Sequence, residues 1–325
     1  MGGQAKVLEF LEIAILYVST MPMTIRNSAP QTECPACEGS ANFLLSATDR
    51  NRKTTRESFD YYSCMECGLI FIDSPPDDMA PYYSGGYDPI PESLEALRLI
   101  ASGEHFRSEP ILKHRHEGKF LELGPWRGVL CSLMQDAGFE VTAIEMDGQC
   151  VEFLRNTVGV SAIQSCNPLQ TMRAMSSGFD VIAAWHSMEH LPTPWLVIQE
   201  AARLLNPGGI LLLAMPNPDS FEFSVLKSRW MHLDTPRHLY LFPIRSLINL
   251  CRARGLVPLS ITTADEFSDI QSWHAWYSLA RSVTNFRYVR GALVRLFYML
   301  ARRWQKEEGR GSAYCAVFAR PSGAP

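Results

Sequence analysis

From residue 117 onward, short apolar runs alternate along the chain with segments of helical periodicity. The runs with the length and composition of strands are KFLELG, FEVTAIEMD, VSAIQS, FDVIAAWHS and ILLLAMP. Parallel strands need a long crossover connection, and the amphipathic segments between these runs provide it. This alternation predicts an α/β fold with a doubly wound parallel sheet, in which ligands bind at the carboxyl ends of the strands.

The segment PWLVIQEAARLLNPGG lies between the fourth and fifth predicted strands. Proline favours the first turn of a helix and glycine the position after the last. Pro194 near the start and the Gly208–Gly209 pair at the end therefore predict a helix that fills the segment. The run ILLLAMP that follows is apolar throughout, which predicts a strand buried on both faces.

Four of the nine cysteines form two C-x-x-C pairs, CPAC and CMEC, with 26 residues between them. Two thiolates three positions apart on a tight turn reach one tetrahedral ion, and two such turns complete its coordination. The strand-like runs between the pairs form hairpins too small to fold alone. We predict a structural Zn²⁺ held by Cys34, Cys37, Cys64 and Cys67. The alternative is one redox dithiol and one incidental pair.

The overall composition excludes several classes of protein. The 325 residues carry a formal net charge of −4 and 46% of them are hydrophobic, which argues against a polycation that coats nucleic acid and against a wholly disordered chain. No apolar run reaches the roughly 18 residues of a membrane-spanning helix. We therefore expect a globular protein, and the composition disfavours a nucleic-acid partner.

The N-terminal run VLEFLEIAILYV is apolar but contains Glu9 and Glu12, which a secretory signal would not. The odd number of cysteines also fits a reducing compartment, and we predict a cytoplasmic protein. Met21 and Met23 are alternative starts, so residues 1–25 receive no structural assignment.

The first strand-to-helix turn, ELGPWRG, is framed by Gly124 and Gly128. Its G-x-x-x-G spacing differs from the G-x-G-x-x-G fingerprint of dinucleotide-binding folds, which disfavours an NAD enzyme. Glu145 closes the second predicted strand, 21 positions after Gly124. A carboxylate there can accept hydrogen bonds from a ribose diol, or it can be a solvated charge at a strand end.

The segments FLELGPWRG, VTAIEMD, FDVIAAWHSMEHL and LLNPGGILLLAMPN resemble, in this order and spacing, the class I S-adenosylmethionine-dependent methyltransferases. The resemblance covers roughly residues 117–263 and a last strand at 312–321. It is closest to the branch with an N-terminal four-cysteine zinc module and an HLDTPRHLYLF segment after the fifth strand. It implies a Rossmann-like seven-stranded sheet, S-adenosylmethionine as cofactor and methyl transfer to a small-molecule or sugar-linked acceptor.

The resemblance also implies cofactor-binding residues at the ends of the first, second and fourth strands: Glu122, Gly124, Pro125, Gly128, Glu145, Met146 and His186. The turn meets the amino-acid portion of the cofactor, Glu145 the ribose and Met146 the adenine. Two positions depart from the family pattern. Trp126 replaces the middle glycine, which narrows the cofactor space or forces a different loop, and Asn167 stands near the place of the usual acid beside the adenine amine.

Two polar segments beyond the strand ends, WHSMEHL and WMHLDTPRHLY, supply catalytic candidates. For a hydroxyl acceptor, His190 or His238 would act as general base, with Glu189 beside them. Arg237 would clamp a carboxylate or phosphate of the acceptor through a bidentate fork. The alternatives are that Glu189 and His190 cap the next helix or orient the loop, and that Arg237 holds carbonyl groups together in a turn.

The chain divides into an unassigned segment, a zinc ribbon, a linker and a methyltransferase domain with two insertions: 1–25, 26–75, 76–116, 117–325, 217–242 and 266–311. The second insertion contains apolar residues at helical spacing over 286–304, within a strongly basic stretch. It predicts either a lid helix that buries its apolar stripe against the domain, or a helix that lies on an anionic membrane surface.

Two alternative functions remain open at this point. An RNA methyltransferase would use the basic residues of the ribbon, Arg50, Arg52, Lys53 and Arg56, although acidic residues surround them. A non-catalytic scaffold would follow if Trp126 blocked the cofactor.

Overall fold

The computed structural model describes residues 31–83, 89–175 and 178–323. Residues 1–25, with their alternative starts, lie outside the described residues. The strands, in chain order, are β1 (Thr32–Glu33), β2 (Ser40–Thr48), β3 (Ser58–Cys64), β4 (Ile70–Ile72), β5 (Lys119–Leu123), β6 (Glu140–Glu145), β7 (Ser161–Gln164), β8 (Phe179–Trp185), β9 (Leu205–Pro216), β10 (Tyr240–Leu241), β11 (Val257–Thr262) and β12 (Ala313–Ala319).

The helices, in the same order, are α1 (Ala80–Tyr83), α2 (Leu94–Ser102), α3 (Glu109–Leu112), α4 (Val129–Asp136), α5 (Gly148–Phe153), α6 (Pro168–Ala174), α7 (Pro194–Leu204), α8 (Phe221–Leu226), α9 (Ile244–Arg252), α10 (Glu266–Val283) and α11 (Arg287–Gln305). One π-helical turn, Leu154–Val158, continues α5. Short 3₁₀ turns lie at His105–Arg107, Met188–His190, Lys227–Arg229 and Met231–Leu233.

The larger sheet of the described chain has seven strands in the order β11-β12-β9-β8-β5-β6-β7. The pairs within β9-β8-β5-β6-β7 are parallel, whereas β12 runs antiparallel to both of its neighbours. The predicted seven-stranded, doubly wound α/β fold is therefore confirmed. The carboxyl ends of β5, β6 and β8 lie side by side at one edge of this sheet.

Neighbouring residues of the central strands point to opposite faces of the sheet, as the two-residue period of a strand requires. Leu121 and Ile182 belong to one apolar core, whereas Phe120 and Val181 belong to the other. All four are fully buried. Helices cover both faces, which explains why these strands are apolar throughout.

The helix before β9 is shorter than predicted. It ends at Leu204, and Gly208–Gly209 lie inside β9 instead of closing the helix. Leu205 pairs with Phe179 of β8, so this segment is part of the sheet and not of the helix. A side chain at Gly209 would meet three backbone carbonyl oxygens at 2.9–3.2 Å, so the glycine permits a close approach of β8 and β9.

The smaller sheet is antiparallel and has the order β1-β2-β3-β4-β10. Its first four strands come from the cysteine-rich segment, but β10 comes from the segment predicted as a substrate-loop insertion. Tyr240 of β10 pairs with Phe71 of β4. Tyr62, Phe71 and Tyr240 belong to the same apolar core as one face of the large sheet. The cysteine-rich segment is therefore packed into the body of the protein.

The C-terminal insertion consists of α10 and α11, which pack against each other and against Trp230. The buried residues of α11 are Val294, Ala301 and Gln305. The apolar stripe predicted over 286–304 is not buried as a whole, because α11 is rotated so that Phe286, Val289 and Leu296 are exposed. The expectation that this stripe packs on the domain is therefore wrong for these three positions.

Candidate active site

The turn after β5 runs closely over the end of the large sheet. Gly124 and Gly128 have φ angles of +67° and +79°, in the left-handed region that favours glycine. A Cβ atom on Gly124 would lie 2.8 Å from Cβ of Ser187, and one on Gly128 would lie 2.5 Å from Cδ2 of Leu154. Both glycines are therefore needed for the path of this backbone.

Trp126 adopts a left-handed backbone conformation of the kind that favours glycine. Its φ angle is +49°, and its backbone N–H donates a 2.9 Å hydrogen bond to Oε2 of Glu145. The guanidinium of Arg127 lies 5.3 Å from the centre of the indole ring. The backbone of Trp126 is therefore left-handed, a conformation that costs conformational free energy for a residue other than glycine.

Glu145 lies at the end of β6 and is buried. In addition to the bond from Trp126, its carboxylate accepts hydrogen bonds from the backbone N–H groups of Met146, at 2.7 Å, and Asp147, at 2.9 Å. A carboxylate offers about four lone-pair positions, so acceptor capacity remains for a hydroxyl group. Met146 beside it is half exposed, with 51% of its surface accessible.

Glu122 lies beneath the turn and is 2% exposed. Burial raises the pKa of Glu122 to about 7, and the nearby charge of Glu145 adds to this effect. The thiol of Cys131 donates a 3.0 Å hydrogen bond to Oε2 of Glu122. The Glu122 carboxyl can therefore hold or release a proton near neutral pH.

Asn167, the residue considered as a partner of the adenine amine, is the N-cap residue of α6. Its Oδ1 accepts a 3.0 Å hydrogen bond from the backbone N–H of Gln170 and so caps α6. Pro168 follows as the first residue of that helix. This arrangement is the usual one at a helix N-terminus.

Glu189 is the centre of a buried cluster of histidines beyond the end of β8. Its Oε1 lies 2.9 Å from Nδ1 of His186 and 3.9 Å from Nε2 of His238. The rings of His190 and His238 have their centres 4.6 Å apart. His238 therefore meets Glu189 and His190 in one place, although at least 48 positions of the chain separate it from them.

The protonation pattern of two of these imidazoles follows from their neighbours. Nδ1 of His190 lies 3.0 Å from the carbonyl oxygen of Arg237 and 3.1 Å from the Tyr83 hydroxyl. Nδ1 of His238 lies 2.7 Å from the carbonyl oxygen of His232. A carbonyl oxygen only accepts, so Nδ1 carries a proton and donates it to the hydrogen bond in both rings.

The charges of the cluster are set by burial and by mutual contacts. Burial alone would raise the pKa of Glu189, but the charge and the hydrogen bond of His186, together with the charge of His238, outweigh it and lower the pKa to about 2. Burial, together with the charge of His238, lowers the pKa of His190 to about 4. At neutral pH the cluster therefore contains an ionised carboxylate beside a neutral His190.

Neither Glu189 nor His190 caps the following helix, because both lie in the 3₁₀ turn before it and Thr193 is the N-cap residue of α7. Within the described residues, Oε2 of Glu189 and Nε2 of His186 are buried and have no hydrogen-bond partner. Buried polar atoms are normally paired, so these two mark a place where another polar group can bind.

Arg237 is placed differently from the clamp that the sequence suggested. Its side chain is fully buried, and its donors face the carboxylates of Asp234, at 2.7 Å, and Asp49, at 3.3 Å. A further, weak contact of 3.5 Å reaches the carbonyl oxygen of Tyr82. Arg237 thus ties the segment of His238 to the cysteine-rich module, and this geometry favours a positioning role over direct contact with an acceptor.

Sequence reasoning missed three residues of the site. Asp49 of the module anchors Arg237, Tyr83 contacts His190, and Phe267 at the start of α10 lies against His186 with ring centres 4.9 Å apart. No local motif marks any of them. The contact of Phe267 shows that the C-terminal insertion begins at the edge of this site.

The four predicted metal-ligating thiols are brought together at the ends of the strands of the small sheet. Sγ of Cys34 lies 3.6 Å from Sγ of Cys67, and Sγ of Cys37 lies 3.5 Å from Sγ of Cys64. All four sulfur atoms lie within 4.8 Å of one another. Tetrahedral zinc–sulfur bonds of about 2.3 Å would separate sulfur atoms by roughly 3.8 Å, so the cluster fits the ion.

Comparisons with known proteins identify the family of the central part of the chain. Residues 96–261, about half of the chain, match the family model described as a methyltransferase domain. The ubiquinone biosynthesis O-methyltransferase of Xanthomonas oryzae pv. oryzae is 30% identical over 125 residues, which cover 37% of this chain and 52% of that protein. The protein of the same name from Bordetella avium is 27% identical over 150 residues, which cover 43% of this chain and 62% of that protein.

The chain thus spans about half the length of the curated relatives it matches. Among solved structures, a SAM-dependent methyltransferase from Archaeoglobus fulgidus aligns with 69% of this chain and 94% of its own, with a TM-score of 0.48 and 13% identity.

Proposed function

The chain belongs to the class I S-adenosylmethionine-dependent methyltransferases, and we propose that it methylates a hydroxyl group of a small-molecule or sugar-linked acceptor. The observation that carries this proposal is the ionised Glu189 among three imidazoles at the end of β8, beside the glycine turn. An acid–base cluster at this place suits an acceptor that must lose a proton. The names of the curated relatives, which describe O-methyltransferases, support an oxygen acceptor.

The cofactor would bind across the ends of β5 and β6. The turn formed by Gly124, Pro125 and Gly128, with Glu122 beneath it, would receive the amino-acid portion. The remaining acceptor capacity of Glu145 would bind the ribose. Two further residues complete the proposed site, with Met146 beside the adenine and His186 lining the side of β8.

When bound, S-adenosylmethionine supplies a methyl group on a positively charged sulfur. The chain's own task is to align the acceptor oxygen, to exclude water and to take up one proton. An imidazole of the cluster would take up the hydroxyl proton as the acceptor oxygen receives the methyl group. Nε2 of His238 is the favoured acceptor of this proton.

Two contacts favour His238 as the general base. Its Nδ1–H is fixed by the carbonyl oxygen of His232, and the Glu189 carboxylate lies 3.9 Å from Nε2, where it stabilises the imidazolium that forms. His190 stacks edge-on against His238 and would share the proton or orient the acceptor. Glu189 and Arg237 are positioning residues in this proposal.

We further propose that the four-cysteine cluster holds a structural Zn²⁺. The donor set of four thiolates leaves no open position for a substrate, so the ion would stabilise the small sheet and take no part in catalysis. This sheet includes β10, which begins two residues after His238. The zinc would therefore support the segment that carries the proposed base.

The first test identifies the acceptor class. Thermal unfolding is followed with S-adenosylhomocysteine present, across a panel of phenols, catechols and nucleoside diphosphate sugars, because only a ligand of the folded state raises Tm. The best acceptor is then used to measure turnover of His238→Ala, His190→Ala and Glu189→Gln. We expect a loss of at least about 100-fold for His238→Ala, with binding of S-adenosylhomocysteine retained.

The pH profile separates a base from a structural residue. Glu189→Gln removes the charge that stabilises the imidazolium and should shift the acidic limb of the turnover profile. Unchanged turnover in both histidine variants would remove them as bases. Glu189, His190 and His238 also place ligand atoms within 4.8 Å of one another. If turnover depended strictly on an added divalent cation, we would assign the deprotonation of the acceptor to a metal ion at these residues and not to an imidazole base.

A further inference from the structure

Helix α11 and the turn before it carry an exposed apolar surface. The side chains that contribute to this apolar stripe are Val283, Phe286, Tyr288, Val289, Leu296 and Met299. Tyr288 is 91% exposed, Phe286 76% and Met299 65%. Scattered single apolar residues on a surface need no explanation, but six within 17 residues of the chain do.

The helical geometry places part of this stripe on one face of α11. At 100° per residue, Tyr288, Leu296 and Met299 lie within about a quarter of the helix circumference. Val294 and Ala301 occupy the opposite side and are buried against the rest of the protein. The apolar stripe therefore lies on a different face of α11 from the one that packs against the rest of the protein.

The same segment is strongly basic. Residues 281–306 contain seven arginines and lysines and no aspartate or glutamate. The whole chain has a net charge of −4, so the rest of the chain carries −4 − 7 = −11. Arg295, Arg302 and Arg303 are exposed on α11 beside the apolar stripe. The charge asymmetry would orient the molecule with this helix toward any anionic surface.

We propose that the apolar stripe and its arginines dock the protein on an anionic phospholipid membrane. The arginines would meet lipid phosphates, while Phe286, Tyr288 and Met299 would enter the boundary between headgroups and acyl chains. A nucleic acid would satisfy the arginines and can stack bases on the aromatic rings, but it would leave Val289, Leu296 and Met299 in water. In the residues that the structure describes, no helix has the length and hydropathy to cross a bilayer, and the docking proposed here is peripheral.

The position of α11 connects this surface with the active site. The preceding helix α10 begins at Glu266, and its Phe267 covers His186. Docking would therefore place the C-terminal insertion, and the edge of the site that it covers, next to the membrane. The docking proposal does not depend on which acceptor is methylated, so it is tested separately from the proposed reaction.

The test is sedimentation of the full-length protein with vesicles. We expect the protein to bind vesicles of phosphatidylglycerol and phosphatidylcholine at low salt, to bind pure phosphatidylcholine vesicles much less, and to be released as salt is raised. The variant Arg295→Glu/Arg302→Glu should lower the partition coefficient by at least about tenfold. The control Arg173→Glu/Arg252→Glu makes the same charge change on exposed residues elsewhere and should bind as the wild type does.

A second variant tests the apolar part of the surface. Tyr288→Ser/Met299→Ser leaves every charge in place and should also weaken binding to anionic vesicles. Thermal melting of each variant verifies the fold. The proposal is overturned if the wild type does not bind anionic vesicles, if both charge-reversal variants lose binding equally, or if the serine variant binds as well as the wild type while RNA competes for the surface.

Discussion

The backbone N–H of Trp126 donates a 2.9 Å hydrogen bond to the carboxylate of Glu145, which joins the turn after β5 to the end of β6. Because the donor is a backbone group, the bond depends on the left-handed conformation of Trp126 and not on its indole. A residue that seemed to interrupt a glycine-rich turn therefore helps to shape it. The cradle between these two strand ends is the basis of the proposed cofactor site.

The path of this turn predicts a sharp difference between two glycine substitutions. Gly128→Ala adds a Cβ atom 2.5 Å from Cδ2 of Leu154 and also strains a residue at φ +79°. Gly138→Ala, at φ +95°, meets nothing within 4 Å and carries the backbone strain alone. Urea unfolding should show Gly128→Ala as the less stable variant, by roughly 1–3 kcal/mol. Equal stability of the two would mean that the turn can open without cost.

The buried Glu122 predicts a pH-dependent effect on stability. Its folded-state pKa, about 7, lies above the unfolded value near 4.5, so the folded protein binds the proton more tightly. The wild type therefore loses stability as pH rises from about 4.5 to 7. Glu122→Gln removes this loss and should be more stable than the wild type at pH 8, by roughly 2–3 kcal/mol, but not at pH 4.

Chemical unfolding at both pH values measures this difference. The Glu122→Gln variant should also bind S-adenosylhomocysteine more weakly than the wild type does, because Glu122 lies beneath the proposed cofactor turn. A stability change that is the same at pH 4 and pH 8 would show that the substitution acts through packing and not through the proton.

Arg237 predicts a contrast between a buried and an exposed ion pair. Arg237→Ala leaves the buried carboxylate of Asp49 and the partly buried one of Asp234 without a cationic partner and should cost roughly 3–5 kcal/mol of unfolding free energy. Arg98→Ala breaks a 2.7 Å pair with Asp136 that is about half exposed, and should cost at most about 1 kcal/mol. Unfolding by denaturant measures both. If Arg237→Ala lowered turnover but left stability intact, Arg237 would be the acceptor clamp and not a structural anchor.

The cysteine cluster predicts one bound zinc ion per chain. Cys37→Ser removes one of the four thiols and should abolish zinc binding and lower Tm, since closing the small sheet depends on the ion. Cys166→Ser, an exposed thiol outside the cluster, should change neither. Metal content by mass spectrometry and thermal melting provide the two readouts. Wild-type protein that is folded and free of zinc would refute the metal site.

The order of strands and helices was predictable because each predicted strand carries its own apolar pattern. The thiol cluster was predictable because the spacing of each C-x-x-C pair is a local property. In contrast, β10 could not be assigned to the small sheet, since only two residues pair with β4 and the partner strand lies about 170 residues away. The early end of α7 is a similar case, in which strand pairing of Leu205 overrides the glycine signal.

The candidate site was predictable only in part. His190, His238 and Glu189 were named as candidates from two segments, but their mutual distances depend on how the chain folds back. The role of Arg237 could not be inferred, because its partner Asp49 is 188 residues away and belongs to a segment without a catalytic motif. Long-range pairing of charges leaves no mark on local sequence.

The most direct test of the whole account is calorimetric titration of the zinc-loaded, full-length protein with S-adenosylhomocysteine. The cradle between Gly124 and Glu145 predicts binding with a stoichiometry of one, weakened at least about tenfold in Glu145→Gln, which loses charged hydrogen bonds to the ribose. Glu152→Gln, on the neighbouring helix, should bind as the wild type does. Folded wild-type protein that releases no heat and binds no S-adenosylhomocysteine would contradict the account.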